Sequence, residues 1–258
     1  MLYDIPTPVL IIGLVAGMIG VVEGGLLIGR RYGRPRWKNA REIHTALTAA
    51  ALALMGLMLA FTFNLSAARY DIRKNLVVAE AAAIQSVRTS LDFLAAEPRA
   101  RGLGLVHGYT AERIAYMHLG RDPTREGEAI GHSRAIYGAL WALAVDSRNY
   151  ASDEPQLRAA QYAVLTGALL DLKRVARERE EARFRTVPQL VIVMLFALAI
   201  GAGGVLSYMA GATGHPDRLP TYVFLFMVCL IIYLIIDFDR PRRGLLRFDA
   251  APLERVQT

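Results

Sequence analysis

The chain has 258 residues, 54% of them hydrophobic and 21% charged, with a formal net charge of +7 and a mean hydropathy of +0.31. It is too apolar for an ordinary water-soluble domain and too charged to lie wholly in lipid. The positive balance does not point to nucleic acid, because the basic residues flank apolar runs and no pattern of stacking aromatics accompanies them.

A hydrocarbon core about 30 Å thick needs roughly 20 apolar helical residues, and four stretches approach this: about 9–28, 45–63, 187–208 and 219–236. The predicted fold is therefore all-α, a four-span integral membrane protein made of two helical hairpins with a helical domain inserted between them. Its divisions are a first hairpin over 1–63, the inserted domain over 64–186, a second hairpin over 187–236 and a tail over 237–258. Four spans put both termini on one side. Lys and Arg are denser at the span ends on that side (Arg69, Arg73, Lys74, Arg185, Arg240 and Arg247 among them) than on the other (Arg30, Arg31, Arg41 and Arg218 among them). That asymmetry predicts both termini and the inserted domain in the cytoplasm.

Met1-Leu-Tyr-Asp-Ile-Pro6 lacks a basic stretch, so the first apolar run is expected to be retained rather than cleaved as a signal peptide. Gly13, Gly17, Gly20, Gly24, Gly25 and Gly29 give overlapping GxxxG pairs, which let helix backbones approach closely in lipid. Glu23 lies inside this run and carries two readings: an ionisable group at depth, which is a functional site by default, or a residue near the headgroups of a span that starts earlier. In the second span Met55, Leu59 and Phe63 recur every four residues and lead into Asn64 and Ser66. Such a row is either ordinary bundle packing or, repeated around a ring of subunits, a dewetted constriction.

Pro98 is expected to end the first helix of the inserted domain. Gly120-Arg-Asp-Pro123 should open the third, with Asp122 as N-cap, and Ser152-Asp-Glu-Pro155 the fourth. Val77, Ile84 and Leu91, interleaved with Glu80, Val87 and Leu94, form a heptad stripe that wants a partner helix. Glu80 thus faces a packing seam. It is either paired with an Arg, since a lone buried carboxylate is costly, or an ion or proton site. Within Lys173–Arg185, Arg177/Glu181 and Glu181/Arg185 stand at i,i+4 spacing and read as a solvated helix face. Pro188 then marks a kink or a new start at the third span, in which Gly201, Gly203 and Gly204 again favour close packing. The single cysteine, Cys229, falls in the fourth span as a small apolar residue and excludes an intrachain disulfide.

No HExxH, GxxxxGK[ST], GxSxG or CxxC motif is present, and the five histidines do not cluster. His107 and His118 lack a third ligand and read as surface residues. Neither an enzyme nor a cofactor or metal is expected.

Two membrane exits carry polar motifs that can meet: Phe63-Asn-Leu-Ser-Ala-Ala-Arg69-Tyr70-Asp71-Ile-Arg73 after the second span, and Asp237-Phe-Asp239-Arg240-Pro241-Arg-Arg-Gly244 after the fourth. With Leu76-Val-Val-Ala-Glu80-Ala-Ala-Ala-Ile84, they resemble the bacterial bestrophin-like membrane proteins over nearly the whole chain. Bestrophins proper are pentameric anion channels with an aromatic-rich neck on the second helix, just before a Phe, polar, small, Tyr-Asp sequence. Phe63 and Tyr70-Asp71 match that sequence with one extra residue between them.

The resemblance implies a homo-oligomer, a pentamer by analogy, in the bacterial inner membrane. It makes Met55, Leu59 and Phe63 neck candidates, and Asn64 and Ser66 polar groups at the mouth. Chloride-like inorganic anions and membrane lipids become the partners. The bestrophin calcium clasp is not matched, because Asp249 and Glu254 are too sparse to build an oxygen site. Asp237 or Asp239 is instead expected to pair with Arg69 or Arg73. The reading is passive ion conduction, anions ahead of cations; the rival is a non-conducting scaffold or sensor that binds a cytoplasmic partner or anionic lipid.

Overall fold

In a computed structural model the described residues are 7–32, 40–119, 123–146, 155–212, 218–239 and 250–257. They form α1 (Thr7–Tyr32), α2 (Ala40–Ser90), α3 (Ala96–His118), α4 (Pro123–Asp146), α5 (Pro155–Ala182), α6 (Gln189–Ala212), α7 (Arg218–Asp239) and α8 (Ala251–Gln257), with a 3₁₀ turn at Leu91–Phe93. No strand occurs among the described residues. Four helices are long and apolar enough to cross a membrane, lying in Pro8–Tyr32, Thr45–Phe93, Gln189–Ala212 and Thr221–Asp239.

The chain divides into two compact units, one of residues 1–70 and 186–246 and the other of 71–185 and 247–258. The first boundary thus falls at 70/71 rather than after 63. The reason is α2, whose 51 residues run unbroken through the expected break. At 1.5 Å per residue it is about 75 Å long, far more than a bilayer core requires. No Gly or Pro follows Phe63 until Pro98, so nothing local stops the helix. The C-terminal residues join the second unit instead of standing apart as a tail.

In the membrane unit α1 packs chiefly against α6. Successive contacts advance together along both helices, Val21 to Gly204, Gly25 to Ser207 and Gly29 to Gly211, so the two run parallel. The approach is close because small residues face each other. A Cβ on Gly25 would come 2.7 Å from Ser207 Cβ, one on Gly211 would lie 2.5 Å from the Leu26 carbonyl oxygen, and one on Gly29 would overlap the Tyr208 carbonyl oxygen. Gly13, Gly17, Gly20 and Gly24 have open space around them instead. Leu14, Met18, Val22 and Leu26 of α1 share a core with Met55 and Leu59 of α2, Leu195 and Ala199 of α6, and Leu225, Ile232 and Ile235 of α7. Cys229 lies in that core, its Sγ 3.3 Å from Met18 Sδ.

The second unit satisfies the heptad stripe internally. Val77, Ile84, Val87 and Leu91 are buried with Val106 and Tyr109 of α3, Leu140 and Leu143 of α4, Leu165, Leu169 and Leu172 of α5, and Leu253 of α8. Pro98 does not end a helix. The break falls at Leu94 and Ala95, both extended, and Pro98 is the third residue of α3, inside the first turn where its missing N–H costs nothing. Helices α4 and α5 begin at Pro123 and Pro155, while Asp122 and 152–154 lie outside the described residues. Helix α5 stops at Ala182, and the Phe184 and Arg185 amides donate back to Glu181 and Ala182 carbonyls in tight turns (3.0 and 3.3 Å). Glu181 and Arg185 therefore do not share a helix, and no ion pair joins Arg177 to Glu181 among the described residues. Pro188 marks a new start, with α6 beginning at Gln189.

Candidate functional site

Where α2 leaves its apolar stretch it meets the end of α7. Phe238 lies between two aromatic rings of α2: Phe63 at 5.7 Å, edge-on, and Tyr70 at 5.2 Å. The next residue, Asp239, is buried and accepts the Val187 amide on both carboxylate oxygens at 3.0 Å each. Arg69 Nη1 stands 4.0 Å from Asp239 Oδ1, a long ion pair beside the charge-assisted hydrogen bonds. One carboxylate at the end of α7 therefore holds the amide that precedes α6 and lies within reach of a guanidinium of α2. Asp237 and Arg73 are also buried, and Asp71 is exposed. Arg240, Pro241 and Gly244 lie outside the described residues.

Of the row expected to line a neck, Met55 and Leu59 are 3% and 6% exposed, inside the apolar core that α2 shares with α1, α6 and α7. Phe63 is 38% exposed, set beside Phe238. One exposed row with the same spacing is Ala53, Leu57 and Phe61, followed a turn later by Asn64. Leu57 and Phe61 are 53% and 65% exposed. A shift of two residues is about 200° around a helix, which carries the row to the opposite face. Ser66, expected at the mouth, is fully buried and its Oγ has no hydrogen-bond partner among the described residues, whereas Asn64 is exposed.

Glu23 accepts a hydrogen bond from Tyr222 Oη at 2.6 Å and pairs with Arg218 Nη1 at 3.5 Å. Both partners belong to the first turns of α7.

Glu80, 0% exposed, sits between two guanidiniums: Arg113 of α3, with Nε 2.6 Å from Oε1, and Arg179 of α5 on Oε2. Tyr109 Oη approaches Oε1 at 3.5 Å. Glu180 extends the cluster to Arg113 (3.4 Å) and Arg134 (2.8 Å), and both Arg113 and Arg179 lie over the Tyr116 ring. Burial pulls the Arg113 guanidinium down, but Glu80, Tyr109 and Glu180 together outweigh it and hold the group above its ordinary range, a fixed cation. Burial, reinforced by Glu80, pushes the Tyr109 phenol up, so it remains a neutral donor. The seam position of Glu80 demanded such partners. Arg179 was hidden in the sequence by charged neighbours that read as a solvated face, while Arg113 is flanked on one α3 face by buried Tyr109 and Tyr116. Among the described residues no group of His, Cys, Asp and Glu could hold a metal ion.

A bundle of four membrane-length helices, continued by a helical unit with a buried ionic cluster, defines an all-helical integral membrane protein. The bestrophin-like domain matches residues 15–253, and the chain belongs to that family. Its fold is similar to crystal structures of two single-substitution variants of a bacterial bestrophin homologue from Klebsiella pneumoniae. One has TM-score 0.69 and 14% identity over 96% of this chain and 97% of that one. The other has TM-score 0.64 and 18% identity over 95% and 96%. No curated protein sequence matches the chain.

Proposed function

We propose that this protein is the subunit of a homo-oligomeric channel in the bacterial inner membrane, conducting small inorganic anions such as chloride ahead of cations through a pore lined by α2. The observation that carries the proposal is the exposed row of Leu57 and Phe61 with Asn64 one turn on. It forms an apolar edge leading into a polar one on the helix that continues past the bilayer. Four spans around a filled apolar core leave no conduit inside one subunit, so conduction needs a closed ring of copies, five by analogy with bestrophins proper. In that ring Leu57 and Phe61 form the neck, Phe63 braces it from the side, and Asn64 receives the ion as the apolar ring ends. The basic exits favour anions, and at the opposite end of the spans Arg218 offsets Glu23. The basic span ends also favour a topology with both termini and the inserted domain in the cytoplasm.

Chloride efflux from liposomes under a potassium clamp tests this. Leu57→Ala/Phe61→Ala should raise flux by widening the neck, whereas Met55→Ala/Leu59→Ala should lower thermal stability without raising flux per folded oligomer. Absence of flux from native and widened protein alike, with oligomers and incorporation verified, would leave the scaffold or sensor reading in its place.

A further inference from the structure

The six residues between α5 and α6, 183–188, separate what faces inward from what does not. Val187 is buried, 1% exposed, with its amide held by Asp239. Phe184 is 70% exposed, among the most exposed large apolar side chains described. Its ring is covered on one side only, by the Arg183 guanidinium at 4.3 Å from the centroid. Arg183 is committed elsewhere, to Glu126 and to Tyr116 Oη (3.2 Å). Arg185 is exposed, and its guanidinium meets no carboxylate among the described residues. By contrast, Arg174 pairs with Asp171 and Glu178, and Arg179 with Glu80. An uncovered aromatic ring and an unneutralised guanidinium thus stand side by side, five residues or fewer ahead of Gln189, where a membrane-length helix begins. Fully extended, that stretch of chain spans at most about 17 Å, and in the first turn of the span Leu190 is 69% exposed.

We propose that Phe184 and Arg185 form a binding site for the headgroup of an anionic phospholipid. The ring sits at the interface as aromatic belts do, and the guanidinium forks onto the phosphate, which a planar donor pair fits better than a point charge. The turn that ends α5 creates the site. Had the helix continued, Arg185 would have stood one turn from Glu181 and been neutralised by it. The inference rests on α6 being a membrane span and is independent of conduction.

The test is native mass spectrometry of the purified full-length protein in detergent, titrated with phosphatidylglycerol or phosphatidylcholine. Phosphatidylglycerol should be retained in preference to phosphatidylcholine. Arg185→Gln should weaken its retention about fivefold, the worth of one basic residue at an anionic surface, and Phe184→Ala should weaken both lipids. Arg174→Gln, on the same helix but already paired with acids, should change neither. Equal retention of the two lipids, or equal losses from Arg185→Gln and Arg174→Gln, would overturn the proposal. Displacement of phosphatidylglycerol by inorganic phosphate would reassign the site to free phosphate and overturn the lipid assignment. Lost lipid with chloride flux intact separates this proposal from the channel reading, and so does the converse.

Discussion

The two units are held together by opposite chemistries. In the membrane unit the tightest contact, α1 against α6, is made by the absence of side chains: Gly25 and Gly29 against Ser207 and Gly211. In the other unit the centre is a fully buried carboxylate between two guanidiniums, set within an apolar core. Lipid gives apolar surfaces little reason to leave it, so helices there gain from close backbone approach. A unit with a charged exterior obtains its drive from apolar burial. It can then carry a charged cluster whose contribution is to fix which faces of α2, α3 and α5 meet. The first unit should be sensitive to added atoms and the second to removed charges.

The largest effect should come from the charged cluster. Arg113→Met leaves Glu80 with one guanidinium and should cost about 3–5 kcal/mol, read as a lower midpoint in thermal melts of the detergent-solubilised protein. Replacing Glu80, Arg113 and Arg179 together by Leu, Met and Met should cost less than Arg113→Met alone, because neither Glu80 nor a guanidinium that paired with it is left as a buried charge. If the triple variant is the worse of the two, the cluster contributes net stability and not only register. Next in size is Gly29→Val, which drives a branched side chain into the Tyr208 carbonyl and should cost about 1–3 kcal/mol. Gly17→Val, where the space is open, should leave the monomer's melt unchanged. Equal losses from both would mean that the open stripe is as closely covered as the closed one.

How much of this could be read from the sequence follows from the same contrast. Four spans, a helical insert and a seam carboxylate in need of partners were legible, because length, periodicity and the cost of buried charge act locally. The facing of α2 was not. Every side of its first half is apolar, so Met55-Leu59-Phe63 and Ala53-Leu57-Phe61 look alike until Leu14, Met18 and Leu225 choose which row they cover. Arg179 and Arg185 were misread for a related reason. Both sat in a run of alternating charge, but one is buried against Glu80, and the other stands beyond a helix end marked by no Gly and only distantly by Pro188. Asp239 also holds a backbone amide, that of Val187, which no residue pattern announces.

That amide gives a smaller prediction. Asp239→Asn keeps an acceptor for Val187 but loses the charge that strengthens both hydrogen bonds and draws Arg69, and should cost about 1 kcal/mol. Asp239→Ala, which strands a buried N–H, should cost more. Equal effects would mean that the amide is satisfied by water in the variants and that the junction contributes little.

The smallest effect should be at Glu23, where the membrane unit itself carries a charge and the contrast between the units is most open to challenge. Its side chain is 39% exposed and that of Arg218 is 51% exposed, so the pair resembles a surface ion pair, and Arg218→Gln should change stability by about 0.5 kcal/mol or less. The Tyr222 hydrogen bond at 2.6 Å remains in that variant and keeps the carboxylate in place. Raising the ionic strength should weaken the native pair without moving the melt of Arg218→Gln, because screening acts on an exposed charge pair and not on a neutral one. A loss of several kcal/mol, insensitive to salt, would mean that Glu23 lies in hydrocarbon and depends on Arg218 for neutralisation. The membrane unit would then hold a buried charge pair of the same kind as the Glu80 cluster.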